Sequence, residues 1–353
     1  MLTMKIISLS KELHKSHPTL LTTIFFILGF IFDILTLGRI DETSNFIGHF
    51  IYLILLIYTF LTLEKKISHT RLKFLDEYKL DLFHFLAGGL LSAFAIFFIK
   101  SSSISQSFFF ISIVLILLII NEAPKFQQIG YVAKLALIQF CLTSFFIIYI
   151  PVIFGTYGSF TFIISTIASS LLLPILFKKI GHKLEKPTTI ISTILALFFF
   201  IGYFSNLIPP VPLSVKKIGI YHKIEKSEGK YLLYYETPKY KFWSQGDQNF
   251  QAQPGDSIYV FARIFAPVGL ESNIYIQWEK WEHSWKVSDK IRMSIQGGNS
   301  WGYRAYAYKK NYTSGLWRAK ILTENDKELG RIDFNIESVP PTSRQWNIDI
   351  EKK

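Results

Sequence analysis

The chain has 353 residues, of which 50% are hydrophobic and 18% charged, with a formal net charge of +12. A single cysteine excludes a disulfide framework and a thiolate metal site built within one chain. Much of the basic excess lies in short loops between apolar segments, where it reads as membrane topology rather than as a nucleic-acid footprint.

The two halves differ sharply. Residues 1–210 hold 16 of the 38 Lys+Arg and no Trp, whereas residues 211–353 hold 22 Lys+Arg, 16 Asp+Glu and all seven Trp. The first 17 residues are too charged and interrupted for a cleavable signal and read as a cytoplasmic tail. Apolar segments follow at 18–37, 46–63, 82–99, 107–121, 132–154, 159–177 and 188–208. Each is close to the ~20 residues that a helix needs to cross a bilayer. The expectation is a membrane bundle of about seven transmembrane helices over 18–208. Pro209, Pro210 and Pro212 then forbid further helix and are expected to form a short stiff spacer at 209–212.

Loop charge sets the expected orientation. Lys5, Lys11, Lys15, Lys65, Lys66, Arg71, Lys73, Lys79, Lys125, Lys178, Lys179, Lys183 and Lys186 fall on one side, and Arg39 and Lys100 on the other. Positive charge accumulates in the cytoplasm, so the N-terminus is expected inside and residues 213–339 outside.

Polar residues in the apolar half stand out because they are costly in hydrocarbon. Asp33 interrupts the first segment and reads either as a proton- or substrate-handling group partnered by Arg39 or as half of a packing salt bridge. Gly88, Gly89, Ser92 and Ala93 form small-xxx-small pairs suited to close helix packing. Asn121 and Glu122 end the fourth segment, close to Lys134.

In the second half the period changes to alternation. Strands are expected at 213–224, 230–236, 257–265, 273–281, 289–296, 301–308, 316–323 and 330–337, separated by Gly, Pro, Asn or Asp clusters. That spacing suggests an all-β immunoglobulin-like sandwich without the disulfide, ending at Pro340 and leaving a tail at 340–353. Trp278, Trp281, Trp285 and Trp301, interleaved with Lys280, Arg292 and Arg304, form a candidate stacking platform for sugars or an anionic polymer. Trp278 and Trp281 lie three apart, so on one strand they point to opposite faces, leaving one exposed or at a bulge. Arg304 and Arg318 are candidate cross-strand neighbours, calling for a carboxylate such as Asp333 or Glu282, or for an anionic ligand. Gly298 to Gly302 spells G-x-S-x-G, but a nucleophile elbow requires a strand-turn-helix, and here the motif sits between two expected strands. Residues 297–304 are read instead as a tight connection whose glycines permit positive φ.

Several motifs together resemble one family. They are Gly29-Phe30-Ile31-Phe32-Asp33 with Leu35-Thr36-Leu37-Gly38-Arg39-Ile40-Asp41, the 87–92 glycine segment with Lys100-Ser101, and Asn121-Glu122. In the second half they are Gly297-Gly298, Gly302-Tyr303-Arg304, Gly315-Leu316-Trp317-Arg318 and Gly330-Arg331-Ile332-Asp333-Phe334. The chain resembles bacterial multi-pass membrane proteins that end in domain of unknown function 2914. That resemblance implies a bacterial envelope protein and supplies no reaction, substrate or catalytic residue.

The sequence therefore points to a non-enzymatic inner-membrane protein whose external β domain binds an envelope protein or polysaccharide. Candidate binding residues are Trp278, Trp281, Trp301, Arg304 and Arg318. The alternative is a membrane-embedded enzyme or carrier for a lipid-linked or anionic substrate that uses Asp33, Arg39 and Glu122. The lipid bilayer is the expected surrounding; no cofactor, metal or nucleic acid is called for.

Overall fold

A computed structural model describes residues 18–64, 78–123, 126, 128, 130–180, 183–238, 240, 241, 243–296 and 302–352. The expected tail at 1–17, most of the basic loop at 65–79, and Gly297, Gly298, Ser300 and Trp301 lie outside the described residues.

Among the described residues seven helices come first: α1 (Pro18–Thr36), α2 (Thr43–Leu63), α3 (Lys79–Lys100), α4 (Ile104–Asn121), α5 (Tyr131–Phe154), α6 (Ser159–Lys179) and α7 (Glu185–Phe204). Five of them, α2, α3, α5, α6 and α7, are long and apolar enough to cross a membrane. Their outward faces carry Phe85, Phe154, Phe160, Ile190, Ile194 and Ile201 in exposed positions. Such a surface would drive association in water and is ordinary against lipid tails.

Eleven strands follow among the described residues: β1 (Ser214–Tyr221), β2 (Lys223–Ser227), β3 (Lys230–Tyr235), β4 (Asn249–Ala252), β5 (Ile258–Phe265), β6 (Glu271–Trp281), β7 (Trp285–Gln296), β8 (Tyr303–Lys309), β9 (Gly315–Thr323), β10 (Glu328–Ser338) and β11 (Asn347–Glu351). The expected strand at 213–224 is split into β1 and β2, while β4 and β11 fall where no strand is expected. β11 occupies the presumed tail and pairs antiparallel with β3.

The chain forms two compact units. One comprises Met1–Ile96, Ile111–Phe146 and Ile167–Phe198; the other comprises Phe97–Phe110, Ile147–Thr166 and Phe199–Lys353.

The first unit is helical. Phe60 stacks on Phe177 at 6.2 Å and Phe46 on Phe145 at 5.7 Å between ring centres. The glycines of α3 are there for close approach: a Cβ on Gly89 would lie 3.1 Å from the Tyr52 ring, and one on Gly88 would lie 3.0 Å from the Glu122 carboxylate. A buried polar set ties three helices together. Gln139 donates to Thr143 Oγ1 at 3.0 Å and to the Ser169 carbonyl at 3.2 Å, and it accepts from Ser192 at 2.8 Å. Among neighbouring helices such bonds replace the water that hydrocarbon cannot supply.

The described residues of the second unit form three sheets, ordered β1-β5-β8, β4-β10-β9-β6-β7 and β11-β3-β2. Period-2 alternation buries one face of β9: Trp317, Ala319 and Ile321 point inward while Arg318 and Lys320 do not. Side chains from the first two sheets meet in one core, with Ile220, Val260 and Ile264 against Phe250, Ile276, Trp278 and Phe334. β4 runs parallel to β10, with Asn249 opposite Asn335 and Phe250 opposite Ile336. The proline run does not extend as a spacer. Val211 N–H donates to the Pro209 carbonyl at 2.9 Å and Leu213 N–H to the Pro210 carbonyl at 3.1 Å, so the segment turns, and Val211 and Leu213 are buried.

Candidate functional site

The β unit carries an open cleft of about 770 Å³, within the range typical of small-molecule sites. One wall is the connection between β3 and β4, and the floor is the exposed side of the β4–β10 pair. Asp247, itself buried, holds that connection closed. Its carboxylate accepts the Glu236 N–H at 2.8 Å, the Thr237 N–H at 2.7 Å and the Thr237 hydroxyl at 2.6 Å. The other end docks on β1, where Ile220 N–H donates to the Gln245 carbonyl at 3.1 Å and Asp247 N–H to the Ile220 carbonyl at 2.8 Å. Gly246, at φ +72°, makes this docking possible, because a Cβ there would stand 2.0 Å from the Ile220 oxygen. Gln248 completes the frame by donating to the Asp333 carbonyl at 3.1 Å and accepting from Asn335 N–H at 2.7 Å.

Inside this frame, Trp243 is 66% exposed at the cleft wall. Asn249, Gln251, Asn335 and Asp333 line the floor with Leu316. Large exposed indoles are uncommon away from binding surfaces, and here one stands beside side-chain amides and carboxylates.

Behind the cleft lies a buried charge cluster. His222 stacks on Phe250 with ring centres 3.9 Å apart. Its Nε2 is 3.3 Å from Glu236 and 3.4 Å from Asp247, and its Nδ1 is 3.8 Å from Asp256. Arg344 grips Asp256 with two bonds of 2.6 and 3.1 Å and lies 3.3 Å from Glu236. Burial, with the Arg344 charge, lowers the His222 pKa to about 4 despite the neighbouring carboxylates. Burial raises the Glu236 and Asp247 carboxyls. Burial also pushes Asp256 upward, but its bond to Arg344 and the Gln253 N–H outweigh this and hold it below the ordinary range. Among the described residues no His, Cys, Asp and Glu cluster is arranged to hold a metal ion.

The structure scatters the residues singled out by sequence. Trp278 is a core residue, edge-on to Phe334 at 6.1 Å. The register shifts between Trp278 and Glu279, and Trp281 emerges 47% exposed, edge-on to Trp285 at 5.3 Å. Arg318 makes the expected pair with Asp333, with bonds of 2.6 and 2.8 Å, and its guanidinium lies 3.9 Å from the centre of the Trp285 ring. Arg304 is not its neighbour. It lies on β8 opposite Arg263 of β5, in a different sheet, and donates to the Gly229 and Glu351 carbonyls at 3.1 and 3.0 Å. Glu282 serves Lys280 and Lys286 instead. Trp301 lies outside the described residues, as does most of the connection expected at 297–304; at its described end Gly302 has φ +91°.

In the helical unit Asp33 accepts a hydrogen bond from Ser92 at 2.5 Å, whereas Arg39 pairs with Asp41 at 2.6 Å, so the expected Asp33–Arg39 couple is replaced by two separate contacts. Glu122 accepts from Asn121 at 3.2 Å, and Asn121 in turn contacts the His84 ring at 2.9 Å. His84, Gly88 and Ser92 are four residues apart along α3, so these contacts share one helix face.

The molecule is thus a helical protein with membrane-compatible spans followed by a β-rich unit bearing a polar cleft. Residues 271–336 match the family described as "Protein of unknown function (DUF2914)", a similarity confined to part of the C-terminal half. No curated protein matches the chain. Among solved structures, a mutant β-glucosidase from Listeria innocua in complex with laminaribiose is similar over 33% of this chain, with 9% identity and a TM-score of 0.17. The chain spans only 17% of that enzyme's length, and at this score nothing about fold or activity follows. Glu236, Asp247 and Trp243 all lie outside the matched residues 271–336, whereas Asp333 and Asn335 lie within them.

Proposed function

We propose that this is a non-enzymatic membrane protein of the bacterial inner membrane, with its N-terminus in the cytoplasm. Residues 213–339 form a sandwich-type periplasmic domain that binds an envelope ligand. The loop charge bias and the apolar outer face of the helices support the placement. The observation that carries the binding reading is the braced cleft with an exposed indole on its wall. The Trp278, Trp281 and Trp301 platform is not retained as a single surface, because Trp278 is in the core. Arg318 contributes through Asp333, which lines the cleft. A photocrosslinking amino acid placed at Trp243 in the full-length protein, in living cells, tests this reading. A discrete adduct absent from a Trp285 control is expected, and no adduct above that control would overturn it.

One observation favours a second reading, a carrier within the helices. His84, Asn121, Glu122, Ser92 and Asp33 set polar groups along one face of α3. With the carboxylates of Asp33 and Glu122 at its two ends, that line suits protons or cations better than the anionic substrate expected from sequence. Proteoliposomes bearing a pH-sensitive dye distinguish the readings: only the carrier predicts ion flux abolished by Asp33→Asn.

A further inference from the structure

We infer that the cleft takes an uncharged saccharide chain; this rests on the binding reading above and names its ligand class. Three features of the cleft point the same way.

The first is the indole. Trp243 lies on a cleft wall at 66% exposure, beside the polar floor. A flat aromatic face next to hydrogen-bonding groups suits a pyranose, which presents an apolar C–H face and a rim of hydroxyls. A peptide strand would instead seek unpaired backbone groups at a sheet edge. β4 is the edge strand of its sheet, with one side of its backbone engaged in the parallel ladder with β10 and its Gln251 carbonyl accepting from Arg344 at 2.8 Å.

The second is the floor. Asn249 and Asn335 are direct partners in the β4–β10 register, and Gln251 lies two residues further along the same strand. A carboxamide both donates and accepts, and a carboxylate accepts twice, so Asn249, Asn335, Gln251 and Asp333 match the mixed donor and acceptor character of vicinal hydroxyls.

The third is charge. Glu236, Asp247 and Asp333 line the cleft against Lys241. Asp333 is already matched by Arg318. Glu236 lies 3.3 Å from Arg344, and Asp247 is held by the Glu236 and Thr237 N–H groups and the Thr237 hydroxyl. The three carboxylates are thus set against Lys241, Arg318 and Arg344, which leaves no cationic excess to draw a polyanion and nothing to oppose a neutral chain. Of the sugars or anionic polymer expected from sequence, this keeps the sugars.

The test uses the full-length protein in lipid nanodiscs and measures binding of maltotetraose, cellotetraose and chitotetraose by calorimetry, with poly-γ-glutamate as the charged comparison. At least one neutral tetrasaccharide is expected to bind. Trp243→Ala is expected to weaken it at least tenfold and Asn249→Ala at least threefold, with Trp281→Ala unchanged. Both altered side chains are exposed, and an unchanged melting midpoint confirms that folding is intact. Three outcomes would overturn the inference: no tetrasaccharide bound at 10 mM, tetrasaccharide binding indifferent to Trp243→Ala and Asn249→Ala, or Trp243-dependent binding of poly-γ-glutamate alone. The crosslink at Trp243 separates the two levels. If a protein adduct forms while no saccharide binds, the ligand class falls and the binding reading stands; if neither occurs, both fall.

Discussion

At the residue scale, His222 shows how burial decides chemistry. An imidazole within 3.3–3.8 Å of three carboxylates would ordinarily be expected to gain a proton. Here the ring is buried, packed flat against Phe250, and faces the Arg344 charge, so its pKa falls from 6.5 to about 4. A group whose folded pKa lies below its unfolded value binds fewer protons when folded. Stability should therefore fall as pH drops from 6.5 towards 4, by up to about 3 kcal/mol from this residue alone. The raised Glu236 and Asp247 carboxyls act in the opposite direction, and Asp256, held low by Arg344, in the same one. Melting midpoints of the full-length protein between pH 4 and 7 check this: the acid-side loss should shrink in His222→Gln. A slope equal in the two proteins would mean that His222 is not the titrating group.

At the element scale, two connections bear unusual weight. The β3–β4 connection has no secondary-structure period and is held by Asp247 and by Gly246 against β1. Gly246→Ala should cost about 3 kcal/mol or more, since both the positive φ and a backbone oxygen 2.0 Å from the new Cβ oppose it. Gly229→Ala is the comparison. It has φ +75° but nothing within 4 Å of its Cβ, so only the backbone term applies, and thermal melting should rank the two accordingly.

The β9–β10 hairpin presents Lys327, which is buried and donates to the Tyr203 carbonyl and, at 3.0 Å, to Asn206. Its ammonium also lies 3.6 Å from the centre of the Tyr203 ring. Burial lowers its pKa from 10.5 to about 8. Below pH 8 folded and unfolded chains are both protonated at this site; above it only the unfolded chain retains the proton, so stability should rise with pH. Between pH 8 and 9.5 the wild-type midpoint should climb relative to Lys327→Met, a contribution bounded by about 2 kcal/mol over that 1.5-unit window. Parallel curves for the two proteins would refute it.

At the scale of the whole molecule, the prediction is sidedness. Cys141 is the single cysteine and is buried, so a Cys141→Ser background leaves no native thiol. Cysteines introduced for the exposed Glu228 and Lys183 should then differ: an impermeant maleimide applied to spheroplasts labels the first and reaches the second only after lysis. Equal labelling of both before lysis would reject a cytoplasmic Lys183 loop with an external β domain.

What the sequence determined by itself is what local periodicity encodes. Apolar runs of membrane length mark the helices because hydrocarbon tolerates little else, and alternation marks β5, β6, β9 and β10 because one face of each is buried. The small residues of α3 announce close packing, and the three-residue spacing of Trp278 and Trp281 announces that one is buried and one exposed. For Arg318 the sequence left Asp333, Glu282 and an anionic ligand open as partners, and the antiparallel β9–β10 register selects Asp333. Only the tertiary structure decided the rest. β4 and β11 are four and five residues long and are defined by partners far along the chain, β10 and β3, so neither carries a local signal strong enough to read. Asp33 met Ser92 rather than the nearby Arg39 because helix packing, not sequence proximity, chose its neighbour. The cleft is the clearest case. It joins an aperiodic connection to a parallel strand pair whose partners are 86 residues apart, Asn249 and Asn335, and such a coincidence exists only once the sheet has formed.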